Sequence, residues 1–325
     1  MICKSMEKKR SLVEYALAMF GAIIAVYICF PISKDGDAYQ EIFENISDHA
    51  EIEYLFRSWL ELGQALEGSL TAVLLPLIFF TLLLKLKAFK YLSTNSEYAY
   101  IAYFAIFFLL HDCSQLRISA ALAFALWSCV AIMHRKWIYA LLLCLIAFGF
   151  HISSLLLPIV FSTCFYSKTM GKISWFFLFS SAVIYFLKIP IMEIATQQVT
   201  LLLGGRYIYY TNVMPNEQNT SGLAFVYATL LGIVLVTIYH WGKANTESLP
   251  KAYLAMLSTC VYGCGLMFLL YETVAIASRL SDVLVILIVP LLAVVISNTK
   301  YIYTSLSLMF LGVFFSARLF QLFIY

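Results

Sequence analysis

Residues 68–84 read GSLTAVLLPLIFFTLLL and carry no charged side chain. A run of this kind approaches the roughly 20 residues that an α-helix needs to cross a bilayer. The whole chain is similar, because 62% of its residues are hydrophobic and only 12% are charged, whereas soluble domains are about 45–50% apolar and about 25% charged. The composition excludes a soluble enzyme, a secreted domain and a nucleic-acid-binding module. It predicts an all-α polytopic membrane protein with no nucleic-acid partner.

Apolar runs recur along the chain and predict about eleven transmembrane helices in a single integral membrane domain over residues 1–325. The stretch around His151 could be one long tilted helix or two short helices that meet at the histidine. The predicted spans are 13–30, 68–84, 98–110, 118–133, 138–150, 152–166, 173–187, 223–239, 252–270, 283–296 and 302–322.

Basic residues indicate the orientation, because cytoplasmic loops of membrane proteins are enriched in lysine and arginine. With the N-terminus inside and eleven spans, twelve of the 14 lysines lie in cytoplasmic segments, among them Lys85, Lys87 and Lys90. The pattern requires two helices around His151, since a single helix would reverse every later loop. The same topology places two outer loops at about 31–67 and 189–222, and half of the acidic residues crowd the first of them.

The arginines are distributed differently from the lysines, because five of the seven fall on the predicted outer side. Topology does not explain this placement, but the planar guanidinium binds phosphate in a bidentate manner. Arg117, Arg206 and Arg279 therefore predict a site for a phosphorylated or pyrophosphorylated lipid. Snorkelling to the interface or pairing with the acidic loop is the alternative, and we favour it for Arg57 and Arg318.

Two of these arginines have acidic neighbours. Asp112 precedes Arg117 in the polar junction HDCSQLR, where a helix cap with an Asp112–Arg117 ion pair is the alternative to a polar cavity. Small residues follow this junction and would let another helix approach closely. Arg279 could share a helical face with Glu272 and Asp282, either as a local salt bridge or as the charged wall of a pocket.

The remaining candidates lie in or beside the two outer loops. Arg206 follows two glycines, and the nearby Tyr207 and Tyr210 suit either an aromatic belt or a sugar-stacking surface. His151 interrupts an apolar stretch and could act as a general base. Asp35 and Asp37 could be a base, sugar-binding groups or part of a solvated acidic loop. Apolar residues at helical spacing over 55–66 predict a helix along the membrane surface, with Leu55, Trp59, Leu62 and Leu66 on its apolar face.

The cysteines and the spacing of possible metal ligands do not indicate a disulfide framework or a metal site. Seven of the eight cysteines lie in or beside apolar runs, so we interpret them as small buried hydrophobic residues. No predicted outer His/Asp cluster has the spacing of metal ligands. We therefore expect neither a metal nor a cofactor.

Several short motifs keep a fixed order relative to the predicted spans. They are Asp37-x-Tyr39 with Phe43, Glu53-Tyr54-Leu55-Phe56, Leu116-Arg117-Ile118-Ser119-Ala120-Ala121-Leu122-Ala123, His134-Arg135-Lys136, Phe150-His151-Ile152-Ser153-Ser154, Arg206-Tyr207-x-x-Tyr210 and Arg279-Leu280-Ser281. In these motifs the chain resembles the EpsG/Wzy-type polysaccharide polymerases of bacterial inner membranes. Family members usually have glutamine after the first arginine, whereas here Ser119 stands two residues beyond Arg117. The chain departs from the family pattern again after Glu53, where Tyr54 replaces the usual proline.

The resemblance implies a GT-C-like glycosyltransferase in the bacterial inner (cytoplasmic) membrane, with its active site facing the periplasm. Such an enzyme transfers a growing glycan from undecaprenyl pyrophosphate to a sugar hydroxyl of another lipid-linked repeat unit, without a nucleotide sugar. The expected partners are an undecaprenyl-pyrophosphate-linked oligosaccharide and membrane lipid, and a chain-length regulator protein is a further candidate.

This chemistry needs cations at the leaving pyrophosphate and a base at the acceptor hydroxyl. We expect arginines to take the place of the divalent metal that often stabilises such a leaving group. The predicted roles are pyrophosphate binding by Arg117, Arg206 and Arg279, proton abstraction or acceptor orientation by His151 or Asp112, sugar or lipid contact by Tyr207 and Tyr210, and a reserve base in Asp35 or Asp37.

Two other functions fit a polytopic membrane protein. A flippase for lipid-linked oligosaccharides, or another transporter, should carry polar residues near the middle of several spans. A membrane O-acyltransferase acting on sugars would need a histidine facing its acyl donor, for which His151 is available. The predicted clustering of ionisable groups at the outer ends of helices favours the polymerase over both.

Overall fold

The computed structural model describes residues 2–49, 52–93, 95–167, 169–189, 191, 221–245, 250–271 and 273–298, and these residues contain helices and no β-strand. Short π-helical or 3-10 turns extend or join several helices, at Ala25–Cys29, Phe104–Phe108 and Ile152–Leu155 among others. The α-helices are α1 (Ile2–Ile24), α2 (Lys34–Glu44), α3 (Tyr54–Ala65), α4 (Leu70–Leu92), α5 (Ser96–Tyr103), α6 (Leu109–His111), α7 (Leu116–Met133), α8 (Trp137–Phe150), α9 (Leu156–Tyr166), α10 (Met170–Phe186), α11 (Ser221–Asn245), α12 (Lys251–Leu269), α13 (Val274–Val285) and α14 (Ile288–Asn298).

The polytopic helical class is confirmed. Over the residues that the structure describes, five helices are long and apolar enough to cross a membrane, or six if α13 and α14 together form one bent span. The first ten predicted runs all lie on helices, several of them shorter than a full span, and the eleventh, 302–322, lies outside the described residues. The count of eleven and the GT-C-like arrangement stay predictions. The five helical segments are Ser11–Ile32, Leu70–Leu92, Leu116–Met133, Phe225–Lys243 and Lys251–Leu269.

The described residues fall into two compact units, one within Met1–Pro158 and Val289–Tyr325 and the other within Ile159–Ile288. In the first unit, α4 packs against α1 and α7, and α7 packs against α8. The small residues predicted to admit a neighbouring helix, Ala120, Ala121 and Ala123, are all buried on α7. In the second unit, α12 packs against α10, α11 and α13.

The segment 31–67, predicted as the first outer loop, contains the amphipathic helix α3, which confirms the expected helix. Phe56, Leu60 and Gly63 are buried within the protein, whereas Leu62 and Leu66 of the predicted apolar face are 53% and 73% exposed, so the contact of that face with a membrane surface stays a prediction. Gly63 sets the packing, since a Cβ there would lie 2.1 Å from a methyl carbon of Val73 on α4. The sequence shows the period of this helix but not which neighbour covers it.

Lys85 corrects one prediction. The sequence predicts that the apolar run ends at Leu84 and that Lys85 lies in a cytoplasmic segment, but α4 continues to Leu92 and Lys85 lies inside it with no exposed surface. The predicted end of the run is wrong because hydropathy treats a lysine as the end of a span, whereas this lysine is neutralised by Asp112, 27 residues further on.

The break at His151 agrees with the sequence analysis. α8 ends at Phe150, His151 has an extended backbone (φ −167°, ψ 124°), and a 3-10 turn, Ile152–Leu155, leads into α9. Two helices therefore meet at the histidine. The interpretation of the cysteines is also confirmed for the seven whose side chains are described, since all are free thiols and only Cys144 is not fully buried.

Candidate functional site

Two side chains from distant parts of the chain converge on one carboxylate in the first unit. The Glu53 carboxylate accepts a hydrogen bond from Nη1 of Arg117 at 2.9 Å, through Oε2. Its other oxygen, Oε1, lies 2.5 Å from Nδ1 of His151. Arg117 and His151 were both predicted as site residues, and the structure brings them to the same acid. We call Glu53, Arg117 and His151 the Glu53 cluster.

Each member of the Glu53 cluster lies at a helix end. Glu53 immediately precedes α3, but its side chain does not cap that helix. Arg117 is in the first turn of α7, and His151 follows the last residue of α8. Ser154 donates to the His151 carbonyl at 2.7 Å and stabilises the turn after the histidine. The packing of α3 on α8 and of α7 on the 152–155 turn brings the three ends together.

Gly149 on α8 allows Leu55 on α3 to approach closely. A Cβ on Gly149 would lie 2.6 Å from both Cγ and Cδ1 of Leu55. Gly149 is two residues before His151, and Leu55 is two residues after Glu53. The contact between the two helices therefore also sets the separation of the histidine and the acid.

Tyr39 on α2 is the next neighbour of the Glu53 cluster. Its phenol accepts a hydrogen bond from the Arg117 side chain, and its ring packs against Phe30 and Phe56 at centroid distances of 6.0 and 5.7 Å. Burial raises the pKa of the Tyr39 phenol, the Arg117 charge lowers it and Asp35 raises it, with a net upward shift. The phenol therefore stays protonated, and Arg117 keeps a neutral partner on one side and an anionic partner on the other.

The electrostatics fix the protonation state of Glu53. Burial alone would raise the pKa of its carboxyl, but the hydrogen bond to His151 and the charges of Arg117 and His151 outweigh burial and lower it to about 2. Glu53 is thus ionised at physiological pH, and its interactions weaken only as the pH falls from about 4.5 towards 2. An ionised carboxylate can only accept, so Nδ1 of His151 carries the proton. In the neutral imidazole Nε2 is then left as the acceptor.

The side chains of the Glu53 cluster are partly exposed. The Arg117 side chain is 32% exposed, compared with 18% for Glu53 and 17% for His151, so guanidinium donors remain available. Two buried polar atoms, Oε1 of Gln115 and Oγ of Ser153, have no hydrogen-bond partner among the described residues. They lie two residues before Arg117 and two residues after His151. Unsatisfied buried polar atoms in such positions suit a polar ligand or water.

Asp112 is placed elsewhere. It has no exposed surface, and its carboxylate accepts from Lys85 Nζ at 2.6 Å, from Ser119 Oγ at 2.6 Å and from the Tyr103 hydroxyl. The Asp112–Arg117 ion pair considered as the alternative is not formed, because the two residues pair with Lys85 and Glu53 instead. Both carboxylate oxygens of Asp112 are buried and already accept hydrogen bonds, so Asp112 cannot bind the hydroxyl of an acceptor sugar.

The other predicted site residues that the structure describes lie on α2 and α13. Asp35 and Asp37 lie in the first turn of α2, where Asp37 is exposed and both favour the positive end of the helix dipole. Arg279 lies on α13 in the second unit and is exposed, while Asp282 accepts a hydrogen bond from Tyr227 at 3.0 Å. Arg206, Tyr207 and Tyr210 lie outside the described residues.

We predict that Gly149→Ala lowers function through geometry. The added methyl must displace Leu55, which costs about 1–3 kcal/mol of overpacking and moves Glu53 away from His151. The activity of the protein in cells should fall, and Leu55→Ala combined with Gly149→Ala should recover it. Gly232→Ala is the matched control, because the nearest atom to a Cβ there is 3.8 Å away. Equal effects of the two alanine substitutions would contradict the prediction.

Glu53 was the residue that the sequence analysis did not assign. It was one of nine acids in the first predicted outer loop, and charge alone did not distinguish it from the others. The available signal was its place in Glu53-Tyr54-Leu55-Phe56, one of the motifs that carry the family resemblance.

Comparison with known proteins agrees with that resemblance. The model of the EpsG family matches residues 14–325, and therefore nearly the whole chain and every member of the Glu53 cluster. No curated protein and no solved structure gives a match. The chain belongs to the EpsG family, a family of polysaccharide polymerases.

Proposed function

We propose that this protein joins undecaprenyl-pyrophosphate-linked repeat units into a polysaccharide at the periplasmic face of the bacterial inner membrane. The observation that carries the proposal is the Glu53 cluster, in which one ionised acid holds a histidine and a partly exposed arginine. A base beside a cation is the arrangement required for attack by a hydroxyl with departure of a pyrophosphate.

The proposed step is a substitution at the anomeric carbon of the donor glycan. The acceptor hydroxyl gives its proton to Nε2 of His151, and its oxygen forms the new glycosidic bond. The bond from the anomeric carbon to the pyrophosphate oxygen breaks, and that oxygen leaves with the electron pair. Arg117 stabilises the developing negative charge, and Glu53 stabilises the imidazolium that forms.

The remaining predicted residues keep roles as proposals. Arg206 and Arg279 would bind further pyrophosphate oxygens, Tyr207 and Tyr210 would contact sugar or lipid, and Asp35 or Asp37 would bind sugar hydroxyls. Asp112 does not fit the role of a base, because its carboxylate is buried and already accepts hydrogen bonds from Lys85 and Ser119. A chain-length regulator stays a candidate partner.

The buried Lys85–Asp112 pair is the kind of group that the transport alternative required inside a span. It does not favour transport, because all three lysine donors have acceptors among neighbouring side chains.

Arg117→Ala tests the proposal in a strain that lacks the native gene. We expect the rate of polymer formation to fall about 100-fold, as on removal of one transition-state donor. The readout is the glycan ladder at equal membrane levels, together with an assay of the purified enzyme on a synthetic undecaprenyl-pyrophosphate repeat. Single lipid-linked repeats should accumulate on the outer face.

Arg57→Ala is the matched control for Arg117→Ala. Arg57 pairs at 2.7 Å with Glu61 on the surface of α3, an interaction worth little. A normal ladder from Arg117→Ala would remove Arg117 from the site. Accumulation of single repeats on the inner face would indicate a flippase instead.

A further inference from the structure

A second polar cluster lies close to the first and is completely buried. Lys85 Nζ donates to Asp112 Oδ1 at 2.6 Å, to Ser119 Oγ at 2.6 Å and to the Tyr103 hydroxyl at 2.8 Å. Ser119 and Tyr103 in turn donate to the Asp112 carboxylate. None of the four side chains is more than 2% exposed. We call these four residues the Lys85 network.

The Lys85 network is closed. A lysine ammonium has three protons, and three acceptors surround this one. Both carboxylate oxygens of Asp112 also have donors. A substrate would have to break these interactions to enter, so the network does not serve as a binding site.

Its position along the chain is informative. Asp112 lies five residues before Arg117, and Ser119 lies two residues after it. Lys85 on α4 therefore bonds to Asp112, which precedes α7, and to Ser119, which lies in α7. Tyr103 on α5 donates a further hydrogen bond to Asp112. The hydrogen bonds of Lys85 to Asp112 and Ser119 therefore fix the backbone on both sides of Arg117. They are charge-assisted and hence stronger than hydrogen bonds between neutral groups.

We propose that the Lys85 network is a positioning device for Arg117, in which Lys85, Asp112, Tyr103 and Ser119 fix the first turn of α7 so that the guanidinium meets Glu53. The inference rests on the proposed function of Arg117. The network residues act through Arg117 and do not touch the substrate. Pre-set geometry matters because displacements of about 1 Å can lower a rate about 100-fold.

Ser119→Ala is the mildest test of the Lys85 network. It removes one hydroxyl and leaves the Lys85–Asp112 ion pair in place. We expect polymerisation to slow about 10-fold, with an increased KM for the lipid-pyrophosphate donor, and we expect a modest fall in detergent-solubilised Tm because Lys85 loses one buried acceptor. Rescue by Ser119→Thr, which restores the hydroxyl, would support positioning.

Ser128→Ala is the matched control on the same helix. Ser128 is also fully buried, and its hydroxyl donates to the Ala140 carbonyl at 3.1 Å on α8, far from Arg117 along the chain. The rate should stay within about twofold of the wild type, since this bond does not fix the first turn of α7. Equal rates and equal KM values for the two alanine variants would overturn the inference.

A double-mutant cycle with Arg117→Lys separates the inference from the proposed function. Lysine keeps the charge but loses the planar fork, so residual activity can be measured. If Ser119 acts through Arg117, adding Ser119→Ala to Arg117→Lys should cause little further loss, whereas adding Ser128→Ala should be independent. Losses that multiply for Ser119 would overturn the positioning role alone. An Arg117→Lys variant with wild-type activity would overturn the role of the Arg117 fork, and absence of polymerisation by the wild-type enzyme would overturn the proposed function itself.

Discussion

Replacement of His151 by asparagine is expected to lower the polymerisation rate about 1,000-fold without disturbing the fold. The asparagine amide can take the place of Nδ1 and donate to Glu53, but it offers no acceptor at the position of Nε2. The Glu53–Arg117 pair at 2.9 Å should therefore survive while the base is lost. The measurement is the single-turnover rate of the purified variant on a synthetic lipid-linked repeat.

His134→Asn is the control for His151→Asn, because it makes the same change of side chain at a histidine outside the Glu53 cluster. His134 is exposed and follows the last residue of α7, at the end opposite to Arg117. Its variant should polymerise at the wild-type rate. If His151→Asn retains more than about one tenth of the activity, proton abstraction by His151 is excluded and the histidine only orients Glu53.

The helices of this protein could be predicted from sequence because lipid as a solvent leaves few alternatives for a long apolar run. The break at His151 followed from a polar residue within such a run and from the lysine distribution. The polar residue is a local signal, and the lysine distribution is a count over successive loops, so neither depends on which helices pack together. Arg117 and His151 were identified for the same reason, since charged or titratable groups in an apolar context are expensive and tend to be functional.

The pairing of charges could not be predicted in the same way. Asp112 and Arg117 are five residues apart, and proximity in sequence favoured an ion pair between them. The structure instead pairs each with a residue from a distant part of the chain, Lys85 for Asp112 and Glu53 for Arg117. These partners lie 27 and 64 residues away, so only the packing of helices determines which charges meet.

Lys85→Met is expected to be the most destabilising single change considered for this protein. It leaves the Asp112 carboxylate in a site with no exposed surface and no cation, at a cost of about 3–5 kcal/mol. Methionine fills a similar volume, so loss of packing contributes little. We expect a low membrane level and a markedly lower Tm in detergent, measured by thermal unfolding of the purified variant.

The combined change Lys85→Met and Asp112→Asn tests whether that loss comes from charge. Asparagine is neutral, and its carbonyl can still accept from Tyr103 or Ser119, which now donate to Asp112. Because removal of both charges of a buried pair is often close to neutral, the double variant should recover most of the Tm that Lys85→Met loses. If the double variant is as unstable as the single one, the ammonium matters through its three hydrogen bonds and not through its charge. Recovery of Tm without recovery of the polymerisation rate would instead mean that neutral groups can replace the ion pair in stabilising the fold. The lysine would then still be required to fix the first turn of α7, which carries Arg117.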